Sequence, residues 1–292
     1  MIGRSTEEPT VSDLPGPACG PEPPQTWLRR AFRGRRRATV SVILFGVFLL
    51  LLWEGVFRLG IVSDFIVPSA ISTLDEIGKI FVDFFTGGGY FEGTMVTLEE
   101  IAVGFGAAAL VGIVLGILIG ETVFGRQTLM PYVVGFNAVP KVALAPLFVA
   151  AFGFGVGPKM LMAAVIAVFP VVVNTATGIE SATENELRLF RALEASRWQT
   201  LWRLKFPTSL PLVFAGLKIA AVLAVIGAIV AEMLSGGAGG LGKRLDIAAM
   251  NLKTDAIFAI IVLLSIAGLV IYLVVVVLEH YIVHWRRKER SK

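Results

Sequence analysis

Residues 193–211 read "LEASRWQTLWRLKFPTSLP", a charged, aromatic and twice proline-broken stretch in a chain that is otherwise mostly apolar. Ser196 and Gln199 form an S-x-x-Q capping box, in which each residue satisfies a backbone donor of the other, so a helix is expected to begin at Arg197. Trp198, Leu201, Trp202 and the stem of Lys205 then follow the i, i+3, i+4, i+7 spacing of one helical face. Pro207 should stop that helix, because proline disfavours helical geometry in the residue before it. Upstream, "ESATENELRLFRA" from Glu180 offers a second box, Ser181 with Glu184, and a helix starting near Ala182. Glu184 stands four residues before Arg188, the favourable order for an ion pair on a helix. Two short amphipathic helices therefore meet near Glu194–Ser196. Each is too short to be stable alone, so the pair must pack on the protein's own surface, a membrane interface or a partner.

The sequence on either side of this insert is membrane-spanning in character. Apolar residues make up 55% of the chain, charged residues 16%, and the mean hydropathy is +0.78. A soluble domain would be near a quarter charged. Spanning helices need about 20 apolar residues, and six such runs can be placed: roughly Val40–Phe57, Leu98–Gly120, Leu129–Phe152, Lys159–Gly178, Thr208–Leu234 and Ala256–Ile282. The short alternating segments of a β-barrel are absent. The expected fold class is thus an all-α integral membrane protein with six transmembrane helices and one charged insert.

Lysine and arginine placement sets the expected orientation. Arg29, Arg30, Arg33, Arg35, Arg36 and Arg37 precede the first run, and Arg286, Arg287, Lys288, Arg290 and Lys292 follow the last. Both termini and the insert are then cytoplasmic. The acidic loop from Asp64 to Glu92 is external. These flanking clusters account for the net charge of +4 and leave no case for nucleic-acid binding. Met1–Thr26 holds six of the fourteen prolines and reads as a disordered tail. No small-residue cleavage site follows the first run, so it is expected to remain as an anchor. Cys19 is the only cysteine, which excludes an intrachain disulfide and a thiolate metal site.

Polar residues inside the runs are the other candidates. Gly112, Gly116 and Gly120 make a small-xxx-small face suited to close helix contact. In "LMPYVVGFNAVPKVALAPLFVAAFGFG", Pro131, Pro140 and Pro146 each remove a backbone donor, and Asn137 and Lys141 flank the middle break. Lys141 lies roughly 18 Å into that run at 1.5 Å per residue. An ammonium there must face a translocation pathway or a structural partner rather than lipid. Asn174 near Pro170, and Glu232, are candidates of the same kind, each open to a pathway role or to an interhelical hydrogen bond.

The insert resembles the coupling segment of ABC importer permeases, whose pattern is E-A-A, three residues, G, nine residues, I-x-L-P. Leu204, Lys205, Phe206 and Pro207 take the I-x-L-P places, Glu194 the glycine, and Arg188, Leu189 and Phe190 the E-A-A. Two departures stand out: the E-A-A is missing, and glutamate replaces the turn glycine. "EASRWQTLWRLKFPTSLPLVFAGLKIA", "VPKVALAPLFVAAFGFG", "FPVVVNT" and "VAEMLSGGAGGLG" resemble the nitrate, sulfonate and taurine uptake branch, over about Trp53 to Glu279.

The resemblance implies a type I permease fold in a bacterial inner membrane. It implies a pair of copies forming the pore, separate ATP-binding-cassette ATPase subunits, an external substrate-binding protein, and no cofactor. The ATPase would seat Arg188, Leu189, Phe190, Glu194, Ala195, Ser196, Arg197, Trp198, Trp202 and Pro207. The cargo would be a small anion (an aliphatic sulfonate, taurine or nitrate) or, alternatively, a thiamine-precursor pyrimidine. Residues 1–37 would be a cytoplasmic tail, 38–92 the first span and external loop, 93–282 the permease domain with its coupling segment at 181–207, and 283–292 a basic tail.

Other chemistries fit poorly. Gly237, Gly242 and Lys243 mimic a phosphate loop, but Arg244 replaces its Ser or Thr and no strand precedes it. His280 and His284 lack a third metal ligand and read as juxtamembrane anchoring. An enzyme would show an acid, base or nucleophile cluster, and a secondary transporter an internal repeat; neither is seen.

Overall fold

The computed structural model describes residues 41, 44–60, 66–234 and 239–284. The proline-rich segment, Cys19, both basic clusters and part of the expected first span lie outside the described residues. Helix α1 covers residues 44–58. The others are α2 (Ala70–Phe85), α3 (Gly89–Glu121), α4 (Met130–Asn137), α5 (Ala145–Phe152), α6 (Val156–Glu180), α7 (Glu184–Ala192), α8 (Arg197–Thr200), α9 (Phe206–Leu234), α10 (Leu241–Met250) and α11 (Thr254–Ile282). The described residues contain no strand.

Helix α6 is the axis of the core. On one side α3 runs parallel to it, with Gly104 against Met160 and Ala163, and Gly120 against Ala176 and Ile179. On the other side α9 runs antiparallel, with Gly227 against Met162 and Ala163, and Gly178 against Ser209. Ile101, Ala108, Ala163, Ala167, Val171, Ala220, Ala224 and Ala228 form the buried centre between them. Such small residues suit a bundle in lipid, where helices associate by close packing rather than by escape from water. The expected glycine face does this work. A Cβ on Gly112 would lie 2.6 Å from Val171 Cβ, and one on Gly116 would lie 2.5 Å from Thr175 Cβ.

A second cluster joins Ile80 of α2 with Leu241 and Ala248 of α10 and Ala256, Ala259, Ile260 and Leu264 of α11. It lies where α3, α6 and α11 begin and α9 ends. We call this the α10 end of the bundle and the opposite one the α7 end.

Among the described residues, four helices are long and apolar enough to cross a membrane: Gly89–Glu121, Val156–Glu180, Arg197–Leu234 and Thr254–Ile282. A bent pair, Gly125–Asn137 with Lys141–Phe152, would make a fifth, and its bend is 79°. Pro131 comes just after a π turn over Gly125–Leu129, and Pro146 just after a 3-10 turn over Lys141–Leu144, so each falls where the regular ladder already changes. Pro140 sits in the break itself, so the prolines set where this span bends.

Several expectations need correction. The acidic loop contains a helix, α2, capped by Ser69. Helix α3 starts at Gly89 rather than Leu98, and Glu100, inside the expected run, is paired within the bundle. Pro207 does not end the insert's second helix. The backbone instead widens into a π turn over Leu201–Lys205, in which Phe206 N–H donates to Leu201 O, and the helix continues into α9. A π turn tolerates a residue without a donor where a regular ladder would not.

Replacing Gly116 with leucine should overpack the α3–α6 contact and cost about 1–3 kcal/mol. Gly106, which faces open space, should accept alanine without loss. Thermal unfolding of the purified protein in detergent distinguishes the two.

Candidate functional site

The elbow between α6 and α9 forms from local hydrogen bonds. The capping box of α7 is Thr183 with Glu186, not Ser181 with Glu184: Thr183 N–H donates to Glu186 Oε2 at 2.8 Å, and Glu186 N–H donates to Thr183 Oγ1 at 3.4 Å. Ser181 is still helical and closes α6, so extended backbone first appears at Thr183. Glu184 accepts from Arg188 at 3.3 Å, as its spacing requires, and also from Arg191 at 2.6 Å. The second box forms as read, with Ser196 N–H donating to Gln199 Oε1 at 2.9 Å and Gln199 N–H to Ser196 Oγ at 3.2 Å.

Between the boxes the chain reverses at Glu194. Its φ is +53°, in the left-handed region. Ala195 N–H donates to Phe190 O and Glu194 N–H to Arg191 O, each at 3.0 Å. This is the Schellman arrangement that normally ends in glycine. The glutamate therefore takes the glycine conformation rather than straightening the turn, at a cost of roughly 1–2 kcal/mol.

The insert's apolar residues do not share one face. Leu201 and Leu204 are buried, while Trp198 is 68% and Trp202 43% exposed. The exposed rings form a ladder, Trp198 to Trp202 at 5.5 Å and Trp202 to Phe206 at 5.0 Å. Lys205 pairs with Glu121 at 2.8 Å, and Arg126 approaches Glu180 at 3.9 Å, which ties the base of the elbow to the ends of α3 and α6. Leu189 is exposed, and α7 buries none of its residues.

The polar residues singled out within the spans fall in three separate places. Lys141 Nζ donates to Asn137 O at 2.7 Å and Oδ1 at 2.9 Å, and lies 4.8 Å from the Phe169 ring centroid. Its ammonium thus covers the carbonyl end of α4, where a cation is favoured. Asn174 donates to Pro170 O at 2.8 Å, a bond within its own helix rather than between helices. Glu232 lies at the α10 end. It accepts from Thr97 Oγ1 at 2.7 Å and from Gly242 N–H, while Leu241 N–H donates to Thr97 Oγ1 at 2.8 Å.

Beside Glu232 is an ion pair that sequence reading missed: Lys159 Nζ lies 3.0 Å from Glu100 Oε1, with both side chains essentially inaccessible. Lys159 opens the fourth expected run and Glu100 falls within the second, and neither was singled out. The available signal was that opposite charges stand at matching depth in α3 and α6.

Comparison with known proteins supplies an independent reading. The model of the binding-protein-dependent transport system inner membrane component family matches residues 112–288. The formylaminopyrimidine transport permease protein ThiX of Halalkalibacterium halodurans is 31% identical over 250 residues, covering 84% of this chain and 96% of that protein. The putative aliphatic sulfonates transport permease protein SsuC of Bacillus subtilis is 28% identical, with 87% and 90% covered. The nitrate import permease protein NrtB of Leptolyngbya laminosa is 31% identical, with 78% and 82% covered.

Two outcomes test the elbow. Glu194→Gly should stabilise it by about 1 kcal/mol and Glu194→Pro should unfold it, because proline cannot reach positive φ and lacks the N–H; hydrogen exchange across α7 and α8 reads both. Arg191, then Arg188, hold the Glu184 carboxyl below its usual range, and hydrogen bonds from the Thr183 backbone and hydroxyl do the same for Glu186. Their contribution is complete above the ordinary carboxylate range and lost as pH falls through the lowered values. Amide protection of α7 should therefore persist in mild acid and fade on further acidification, and the Glu184→Gln, Glu186→Gln double variant should lack this dependence.

Proposed function

Because this chain belongs to the family of binding-protein-dependent transport system inner membrane components, it is a multi-pass inner-membrane permease subunit of an ABC importer and not an enzyme; we propose that its α7–α8 elbow is the handle through which an ATPase subunit drives it. The family carries with it a separate ATPase and a substrate-binding protein as partners. The observation that supports the elbow is its build: an outward tryptophan ladder on a doubly capped turn, lashed to α3 by Lys205 and Glu121.

In this reading six helices span the membrane and the elbow and both termini face the cytoplasm. The permease domain occupies residues 93–282, with the coupling segment at 181–207. Two copies pair to form the pore, and lipid covers the remaining apolar faces. Arg188, Leu189, Phe190, Glu194, Ala195, Ser196, Arg197, Trp198, Trp202 and Pro207 form or shape the ATPase contact. Exposed aromatics dominate small interfaces, so Trp198 would carry the largest share, with Arg197 adding charge complementarity at the rim. Asn137, Pro140, Lys141, Asn174 and Glu232 mark places where the pathway meets polar groups.

The cargo we propose is a small anion of the sulfonate, taurine or nitrate kind, in keeping with the relatives that carry sulfonates and nitrate. A pyrimidine is the second reading, favoured by the relative named for formylaminopyrimidine. Competition of uptake by each class in vesicles holding the whole importer separates them.

Trp198→Ala should weaken ATPase association by about 2 kcal/mol, some 30-fold, and depress ATP-dependent uptake while leaving the bundle folded. Co-purification of the ATPase with the variant and the parent measures this. Equal retention would remove the elbow from the coupling role.

A further inference from the structure

Helix α2 turns three different sides to its surroundings. Ala70, Thr73 and Ile80 are buried, and Ile80 and Ile77 pack into the cluster shared with α10 and α11. Ile71, Leu74, Phe81, Val82 and Phe85 are each between 58% and 69% exposed. Asp75, Glu76, Lys79 and Asp83 carry the charges, and Lys79 pairs with Asp75 at 2.9 Å and with Glu76 at 3.1 Å. At about 100° per residue, the exposed apolar residues centre roughly 110° to one side of the packed ones and the charged residues roughly 125° to the other. The helix is therefore apolar on one flank of its seat and charged on the opposite flank. It is also fixed in rotation, because Tyr90 N–H of α3 donates to Asp83 Oδ2 at 2.7 Å and the Phe84 ring lies 5.3 Å from that of Phe91.

This division decides what covers the apolar flank. A protein docking on the outward face of α2 would straddle the seam between the two flanks and would have to desolvate Asp75 and Lys79 along with the apolar side chains, which is costly. A lipid surface meets the seam edge-on instead, leaving every charge in water and every exposed apolar side chain in the boundary of the hydrocarbon. The place of α2 in the fold agrees. Its packed side joins Ala256, Ala259 and Ile260 in the first turns of α11. Just before that span Asn251 and Lys253 are exposed, and just within it Ile261, Val262 and Ile266 are exposed. The seat of α2 is thus the level at which α11 passes from water into lipid. The Phe81 and Phe85 rings, 4.6 Å apart, are side chains of the kind that bury at such a boundary. With three acidic residues and one lysine, α2 has no net attraction to anionic headgroups, so apolar burial is what would hold it there.

We propose that α2 is an interfacial helix, lying along the membrane surface with Ile71, Leu74, Phe81, Val82 and Phe85 in the acyl boundary of the lipid and its charged flank in water. The lipid then bears on the bundle through α2, which Asp83 and Phe84 join to α3 and Ile80 joins to α10 and α11. The inference rests on the chain being a multi-pass membrane protein, and on neither the coupling role of the elbow nor the identity of the cargo.

Spin labels on the full chain, in nanodiscs of phosphatidylethanolamine and phosphatidylglycerol, test this. A Cys19→Ser background makes each added cysteine unique. Leu74→Cys and Phe81→Cys report the apolar flank, and Asp75→Cys and Lys79→Cys the charged one. All four positions are exposed, so labelling leaves the packed side of α2 intact. Dissolved oxygen concentrates in lipid and a nickel chelate stays in water, so the ratio of collisions with oxygen to collisions with the chelate should be severalfold higher at positions 74 and 81 than at 75 and 79. The same ratio at all four positions would place the whole helix in water and overturn the proposal. Shielding of positions 74 and 81 from both reagents would show that protein covers the apolar flank, a second copy or another part of this chain, and would overturn it equally.

Discussion

Inside a bilayer a polar atom has no water to turn to, and each unsatisfied backbone or side-chain group costs several kcal/mol. The architecture follows from that constraint. At the 79° break, the Lys141 ammonium covers the carbonyl and side chain of Asn137. Where Pro207 deletes a donor, a π turn widens the ladder. Where α10 starts with open amides, Glu232 and Thr97 fill them. Polar residues in this protein mark the places where the helical ladder is interrupted, and the small-residue interfaces mark the places where it is not.

Helix α9 links the two regions of chemical interest. With α8 it forms a rod of 38 residues from Arg197 to Leu234, about 57 Å at 1.5 Å per residue. Trp198 lies at one end and Glu232 at the other. Lys205 ties this rod to Glu121 near the elbow, and Lys218 ties it to Glu279 of α11. Gly227 and Gly216 allow α6 to approach its backbone. A pull on the elbow therefore acts on a stiff, laterally guarded element whose far end holds the cap of α10. No loop within the rod would absorb the motion.

Much of this was legible in the sequence, and the failures share a cause. Hydropathy located the four long helices and the bent pair, S-x-x-Q placed the start of α8, and the glycine spacing marked the face of α3 that α6 approaches. Local rules misled where tertiary partners changed the balance. Glu100 and Lys159 were passed over because neither has a partner near it in sequence, whereas across α3 and α6 they pair and are tolerated in the interior. Pro207 read as a stop because a π turn has no sequence signature of its own. Ser181 read as a cap on its S-x-x-E spacing, but α6 runs on to it and Thr183 caps α7 instead.

The charge inventory also bears on where cargo is recognised. Lys159 is held by Glu100, Lys218 by Glu279, and Lys141 spends two donors on Asn137 with Phe169 beneath it. An anion crossing this bundle would have to take each of these cations from a partner already in contact, in surroundings where the abandoned partner could not be solvated. A deep, tight anion site built from such groups would be self-defeating for a conduit, since whatever bound well enough to break the pairs would leave slowly. The interior is better suited to passage than to selection. In keeping with that, relatives that match most of this chain are named for cargoes as unlike as nitrate and a formylaminopyrimidine.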